Sequence, residues 1–191
     1  MRMVEADVQL VGARPLLRHP PVFRGRELTR EPWVRAAPRR RLTLDDLLAV
    51  ARPQTSLLLD LKGSDTRLAD VVLSSIQPFV DARSITVCGR NWALLDCFEN
   101  VPGITVFYSA GTPSELLGLL ARDRPIDGVS ISETLLNRRI VRLVREGAET
   151  IVAWTVNSRA RARELTSIGV DAIVTDDLRL LDGSIELSQA A

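Results

Sequence analysis

The sequence predicts an α/β protein built around a parallel β-sheet. Short apolar runs rich in β-branched residues alternate with longer segments of helical periodicity from one end of the chain to the other. After Ser56 this alternation repeats at intervals of roughly twenty to thirty residues, the length of a βα unit. The sequence contains no Gly-rich phosphate loop of the G-x-G-x-x-G or G-x-x-x-x-G-K-S/T kind, which disfavours the nucleotide-binding open sheets. An open doubly wound sheet and a closed (β/α)₈ barrel both fit the pattern.

Seven segments are predicted to be strands because they are short, apolar and bounded by turn residues. They are Met3 to Leu10, Ser56 to Lys62, Ser84 to Cys88, Ile104 to Tyr108, Gly128 to Ile131, Thr150 to Val156 and Ala172 to Thr175. A barrel of this class has eight strands and carries its functional groups at their C-terminal ends. Polar residues do follow several of these strands, but the sequence supplies one strand fewer than a closed barrel needs.

The predicted helices have recognisable start signals, because a Ser, Thr or Asp precedes each helical pattern. The pairs of start signal and helix are Thr43 with Leu44 to Ala51, Ser64 or Asp65 with Arg67 to Val80, Thr112-Pro113 with Ser114 to Ala121, Ser132 with Glu133 to Glu146, and Ser158 with Arg159 to Ile168. Gly147 and Gly169 stand where glycines commonly end helices.

Length and composition are those of a single folded domain. The chain has 191 residues, of which 46% are apolar and 26% charged. A formal charge of +1 gives no overall reason to expect nucleic acid as a partner. Nine arginines against two acidic residues between Arg14 and Arg41 form a local basic segment, which is either a solvated loop or a rim that attracts anions.

Cysteine usage and hydropathy favour a cytoplasmic protein. Cys88 and Cys97 have neither the number nor the spacing of a disulfide framework or a zinc site. No apolar stretch approaches the roughly twenty residues that a membrane span needs. Glu5 and Asp7 lie where a signal peptide would be uncharged, so we expect no stable membrane insertion.

Charged residues on two predicted strands form the first candidate site. Glu5 and Asp7 are two residues apart, as are Asp60 and Lys62, so each pair lies on one face of its strand. Three carboxylates at one barrel mouth would suit Mg²⁺ or Ca²⁺. Lys62, the only lysine beside 24 arginines, would be available for a phosphate oxygen. The alternatives are an exposed acidic edge and a structural Asp60–Lys62 ion pair.

The chemical character of two further residues makes them candidates for the site. His19 is the only histidine and the only side chain whose unperturbed pKa lies near neutrality. It lies beside Arg18, twelve residues after an acidic strand, which makes it a candidate acid or base for a phosphate ester. Trp154 is either core packing or a wall of the site, and packing is the default.

Several motifs in the sequence resemble those of the glycerophosphodiester phosphodiesterases. They are Glu5-Ala6-Asp7-Val8, Pro15-Leu16-Leu17-Arg18-His19, Leu59-Asp60-Leu61-Lys62, Trp154-Thr155-Val156-Asn157 and Gly169-Val170-Asp171-Ala172-Ile173-Val174-Thr175-Asp176. The matches span almost the whole chain, and the last two motifs are the most specific. The resemblance implies a TIM (β/α)₈-type barrel that hydrolyses glycerophosphodiesters to glycerol 3-phosphate and an alcohol with a divalent cation, Mg²⁺ or Ca²⁺.

The resemblance also implies roles for individual residues. Glu5 and Asp7 would be metal ligands, and Asp60 would replace a third acidic ligand that is usually Glu. Lys62 would contact phosphate and, with Arg18, stabilise developing charge. His19 would correspond to the second of two catalytic histidines, which act as an acid and base pair. Trp154 would line the glycerol side of the pocket.

The sequence departs from the family pattern in three places. The family begins with a strand that ends in His-Arg-Gly, which this sequence lacks, and Phe23-Arg24-Gly25 lies beyond the second strand and cannot substitute. Pro20 follows His19 where the family usually has Asp, and Asp60 is one methylene shorter than Glu.

The absent strand explains the count of seven. Either the gene begins upstream of Met1, which we favour, or the barrel closes differently or pairs with another chain as a homo-oligomer. We therefore expect one phosphodiesterase-like barrel domain over residues 1–182 and a C-terminal tail over residues 183–191. The alternative function is a non-catalytic barrel that retains the phosphate and metal-binding site.

Overall fold

Strands alternate with helices along the described part of the computed structural model, which covers residues 3–18, 22–23, 26–27 and 41–181. The seven predicted strands are all present among these residues, so the α/β class is confirmed. The chain divides into two units, Met1–Phe107 and Tyr108–Ala191. The predicted tail over residues 183–191 lies outside the described residues. No helix in the described ranges has the length and apolar character needed to cross a membrane.

The first unit contains six strands and two α-helices among its described residues. The strands are β1 (Met3–Val11), β2 (Arg14–Leu17), β3 (Val22–Phe23), β4 (Arg26–Glu27), β5 (Ser56–Lys62) and β6 (Ile85–Gly89). The helices are α1 (Leu44–Val50) and α2 (Arg67–Ile76), followed by 3₁₀ turns at Gln77–Phe79, Trp92–Leu94 and Asp96–Phe98. Strand β7 (Ile104–Ala110) runs across the boundary between the two units.

The second unit continues the alternation. Its elements are α3 (Pro113–Leu120), β8 (Ile126–Ser132), α4 (Arg138–Arg145), β9 (Ala148–Trp154), α5 (Arg159–Ser167) and β10 (Ala172–Ile173), with 3₁₀ turns at Glu133–Leu135 and Leu178–Leu180. Strands β8, β9 and β10 are parallel neighbours in that order. The βα alternation therefore produces the parallel pairing that the sequence predicts.

In the first unit, β1, β5 and β6 pair in parallel, and the charged residues of β5 lie on one face, the polar face, which also includes the buried Leu58. Leu57, Leu59 and Leu61 alternate along β5 and are at most 2% exposed. Helix α2 packs against β1 and contributes the fully buried Val72 to the core. Because alternate residues of a strand point to opposite faces, Asp60 and Lys62 lie on the side away from these leucines.

The hairpin after β1 was missed by the sequence prediction, which has only a turn at Gly12. Strand β1 extends one residue further, to Val11, and β2 folds back along it in antiparallel register from Val8–Leu17 to Val11–Arg14. Gly12 permits the reversal because it adopts a φ of 66°, which glycine reaches without a Cβ clash. Pro15 on so short a segment weakens the sequence signal for a strand.

Three predicted helix starts are confirmed. Thr43, Thr112 and Ser158 cap α1, α3 and α5, and each side-chain oxygen accepts a backbone N–H from the first turn. Helix α2 ends at Ile76 rather than Val80, because Pro78 has no N–H to continue the hydrogen-bond ladder and a 3₁₀ turn replaces it.

The predicted start of α4 at Glu133, with Ser132 as its cap, is wrong. Helix α4 begins at Arg138, and Asn137 is the cap, since its Oδ1 accepts from the backbone N–H groups of Arg139 and Ile140 at 3.0 Å each. Asn is among the strongest N-cap residues. The preceding Glu133–Leu135 forms a separate 3₁₀ turn.

Candidate functional site

The candidate site is created by the register between β1 and β5. Asp7 is the Cα partner of Asp60, and Gln9 is the partner of Lys62. Paired residues on adjacent parallel strands project to the same face, and Glu5 joins them because it lies two residues before Asp7. Two neighbouring strands therefore gather four charged side chains at one end of the polar face.

Three carboxylates converge at this point. One oxygen each from Glu5, Asp7 and Asp60 lies within 4.8 Å of the others. The side chains of Asp7 and Asp60 are only 18% and 14% exposed, so water screens their mutual repulsion less than it would at the surface. Such a cluster requires a compensating cation.

Lys62 supplies part of that compensation. Its Nζ lies 3.0 Å from Asp7 Oδ1 and donates a hydrogen bond to Asp60 Oδ2 at 2.5 Å. Burial by itself lowers the pKa of Lys62, but the charges and hydrogen bonds of Asp60 and Asp7 outweigh burial and hold this pKa above its ordinary value. Lys62 is therefore a permanently charged ammonium between two carboxylates at neutral pH.

The residues present fit a hard divalent cation. The donors are all carboxylate oxygens, the ligand type that Mg²⁺ and Ca²⁺ prefer. Three carboxylates against one ammonium leave two formal negative charges in excess, which equals the charge of such an ion in magnitude. Glu5, Asp7 and Asp60 are thus the described residues that could hold a metal.

Arg18 is positioned beside this cluster by the β1–β2 hairpin. Its backbone N–H donates to the carbonyl oxygen of Asp7 at 2.9 Å. Partial burial, and then the positive charge of Arg41, lower the pKa of the Arg18 guanidinium. The hairpin therefore fixes the backbone of Arg18 beside Asp7, at a strand that the sequence did not predict.

The roles of two predicted site residues are not tested by the described structure. His19 lies outside the described residues. Trp154 ends β9 in the second unit, where it is half-buried and its indole Nε1 is buried without a hydrogen-bond partner among the described residues. The roles predicted for both residues stay predictions.

Polar residues after β9 and β10 fasten those two strand ends to each other. Asn157 Oδ1 accepts hydrogen bonds from the hydroxyl of Thr175 at 3.1 Å and from the backbone N–H of Asp176 at 2.9 Å. Asn157 Nδ2 donates to Asp176 Oδ2 at 3.3 Å. These motif residues therefore have a structural role within the second unit.

Gln9 was overlooked in the sequence. It lies on the same face as Asp7 and opposite Lys62, and its Oε1 is buried with no hydrogen-bond partner in the described ranges. The signal was available, since the alternation that groups Glu5 with Asp7 continues to residue 9. Its side chain is neutral, so it does not belong to the pattern of charged residues that predicts the site.

Solved structures and a sequence relative identify the fold and the family. The chain superposes with a TM-score of 0.74 on an Oleispira antarctica phosphodiesterase in complex with the product sn-glycerol-3-phosphate, at 17% identity over 96% of this chain and 86% of that one. For a Thermotoga maritima glycerophosphodiester phosphodiesterase the TM-score is 0.66, at 18% identity over 93% and 83% of the two chains. Arabidopsis thaliana glycerophosphodiester phosphodiesterase GDPD4 is 33% identical over 155 residues, 75% of this chain. The chain belongs to the glycerophosphodiester phosphodiesterase family.

This glycerophosphodiester phosphodiesterase family member spans 46% of the length of the Arabidopsis relative. It matches a second curated relative, from Bacillus subtilis, at 42% identity over 60 residues, 25% of that protein's length. No family model matches the sequence. The likeness to the solved structures confirms the predicted fold class, the α/β barrel type of this family, and all seven predicted strands are present in the described part of the chain.

Proposed function

We propose that this chain hydrolyses glycerophosphodiesters to glycerol 3-phosphate and an alcohol, with a divalent cation as cofactor. The observation that carries the proposal is the convergence of Glu5, Asp7 and Asp60 within 4.8 Å on two adjacent strands. The Oleispira structure, which holds sn-glycerol-3-phosphate as its product, supports the substrate class.

The role of each candidate residue in this proposal follows from its charge or its ability to carry a proton. Glu5, Asp7 and Asp60 would hold the cation, which when bound supplies neutralisation of the phosphodiester charge. Lys62 keeps its proton because of its two carboxylate partners, so its ammonium can donate to a phosphate oxygen throughout the reaction. Arg18, whose backbone is fixed to Asp7, would add positive charge where negative charge develops. His19 would carry the proton to the leaving alcohol or from the nucleophile.

A second function is favoured by one observation, the single histidine in the sequence. The two-histidine acid and base mechanism that the family resemblance implies cannot run on His19 alone. The alternative is therefore a barrel that binds a phosphate and a metal at the same site without turnover. Both functions use the acidic cluster. They differ in whether glycerol 3-phosphate is released from a glycerophosphodiester.

The deciding experiment measures release of glycerol 3-phosphate from a panel of glycerophosphodiesters, with Mg²⁺, with Ca²⁺ and with a chelator. We expect metal-dependent release that Asp60→Asn abolishes. Asp65→Asn is the matched control, because Asp65 is more exposed and pairs with Arg67 away from the cluster. Release that persists in the chelator would contradict the proposal. Calorimetric binding of glycerol 3-phosphate and Ca²⁺ without any release would favour the non-catalytic alternative.

A further inference from the structure

Helix α4 carries an unusual charge distribution. Its eight residues include four arginines and no acidic residue. Arg142 and Arg145 lie in the last turn, where the helix dipole favours cations, but Arg138 and Arg139 lie in the first turn, where it disfavours them. Only Val141 and Val144 are buried on this helix, so the arginines belong to its outer surface. An anion bound near Arg138 would offset the unfavourable interaction between the first-turn arginines and the helix dipole.

The arginines of α4 differ in their partners. Arg145 is fixed by the carboxylate of Asp171 at 2.6 Å and by the carbonyl oxygen of Gly169 at 2.7 Å. Within the residues that the structure describes, Arg138 and Arg142 make no ion pair and no side-chain hydrogen bond. They are four residues apart and therefore neighbours on one helix face. Both guanidinium groups therefore belong to one face of the helix, and no described residue takes their hydrogen bonds.

A groove of about 480 Å³ runs along this face. Arg138, Arg142 and Arg145 line it together with the apolar Val141 and Ile168. The two remaining lining residues are Glu146, which is the single acidic one, and Gly169. Because Arg145 is paired with Asp171, the net positive charge of the groove comes from Arg138 and Arg142 against the one carboxylate of Glu146.

Gly169 lines the groove at the turn after α5. It has a φ of 101°, and a Cβ added at this position would lie 3.6 Å from Val141 Cγ1, in van der Waals contact with α4. The hydrogen bond from Arg145 to the Gly169 carbonyl joins the helix to this turn. The groove is therefore preformed by contacts within the second unit.

We propose that this groove binds a phosphate-bearing organic anion. Arg138 and Arg142 would hold the phosphate with charge-assisted, bidentate hydrogen bonds, and Val141 and Ile168 would pack against an aliphatic part of the ligand. The site lies on α4 and the turn after α5, separate from Glu5, Asp7, Asp60 and Lys62 in sequence and in unit. It does not depend on the proposed hydrolysis, and its test is binding alone.

The phosphate could belong to a free metabolite or to a lipid head group, and the experiment separates the two sources. One arm titrates inorganic pyrophosphate by calorimetry. The other measures cosedimentation with vesicles of phosphatidylcholine alone and of phosphatidylcholine with phosphatidylglycerol in equal parts. The double variant Arg138→Gln/Arg142→Gln is compared with Arg139→Gln/Arg163→Gln, which removes the same charge from exposed positions that do not line the groove.

We expect the Arg138→Gln/Arg142→Gln protein to bind its probe about tenfold more weakly than wild type, while the control pair stays within about twofold. A selective loss toward pyrophosphate shows that the two arginines bind the phosphate group of a soluble ligand, and a selective loss toward the anionic vesicles assigns a lipid head group. The proposal is overturned if neither probe binds wild type, or if both double variants weaken binding equally, since the effect would then be general charge. Equal melting temperatures for all variants would show that folding is intact.

Discussion

The ammonium of Lys62 lies 2.5 Å from the carboxylate of Asp60, its neighbour two positions earlier on β5. The same nitrogen is 3.0 Å from Asp7 on β1, so one cation joins two parallel strands through partly buried charges. A structural ion pair and a phosphate contact were alternatives for Lys62 at the level of the sequence. The geometry makes them compatible, because an ammonium has three N–H donors and two carboxylates occupy only part of that capacity.

Lys62→Met should destabilise the fold by about 2 kcal/mol, because it leaves the partly buried carboxylates without their cation. Saturating Ca²⁺ should recover much of this loss, since a divalent ion among the same oxygens replaces the missing charge. Urea unfolding with and without Ca²⁺ measures both effects. Arg67→Met serves as the control, because its partner Asp65 and Arg67 itself are largely exposed, and its stability should not respond to Ca²⁺. Equal responses of the two variants would contradict this account of Lys62.

Lys62→Arg tests why the chain has a lysine here among 24 arginines. The charge is retained, so the stability should fall less than in Lys62→Met. The planar guanidinium is larger and cannot take the position of a compact ammonium between Asp7 and Asp60 without moving one of them. We expect release of glycerol 3-phosphate to drop about tenfold or more. Activity equal to wild type would show that any cation suffices at this position.

Asp60→Glu should preserve or tighten cation binding, whereas Asp60→Asn should weaken it about tenfold by removing one ligand charge. Glu is the residue that the family resemblance leads us to expect here, and its extra methylene extends the reach of the carboxylate toward Glu5 and Asp7. Calorimetry with Ca²⁺ on the two variants and wild type makes the comparison. Weaker binding in Asp60→Glu than in Asp60→Asn would contradict the assignment of Asp60 as a ligand.

The members of the acidic cluster could be predicted from the sequence because the pattern that groups them within each strand is local. Alternation along β1 groups Glu5 with Asp7, alternation along β5 groups Asp60 with Lys62, and parallel pairing brings the two groups together. Only the register between the strands, which sets Asp7 opposite Asp60, required the structure. Register depends on how two distant segments pack, and no pattern within either segment encodes it.

The start of α4 and the hairpin strand β2 were not predicted, because the local sequence signals at these places are ambiguous or weak. Ser132 and Asn137 both resemble helix caps, and the backbone donors of Arg139 and Ile140 decide in favour of Asn137. Strand β2 has only four residues and includes Pro15, so its own preference for strand structure is weak. Its pairing with β1 stabilises it as a strand. The place of Arg18 beside Asp7 follows from that hairpin and could not be predicted without it.

Gly103→Ala should destabilise the protein by about 2 kcal/mol, because Gly103 has a φ of 80° and an added Cβ would lie 2.9 Å from Val80 Cβ and 3.0 Å from the Val80 carbonyl oxygen. Gly63→Ala separates the two contributions, since Gly63 has a φ of 98° but no atom within 4 Å of its added Cβ. It should therefore show the backbone strain alone, about 1 kcal/mol. Gly147→Ala has neither a positive φ nor a close neighbour and should leave stability unchanged. Urea unfolding of the three variants gives the order directly, and a Gly103→Ala protein as stable as Gly147→Ala would show that the turn before β7 rearranges to accept the methyl group.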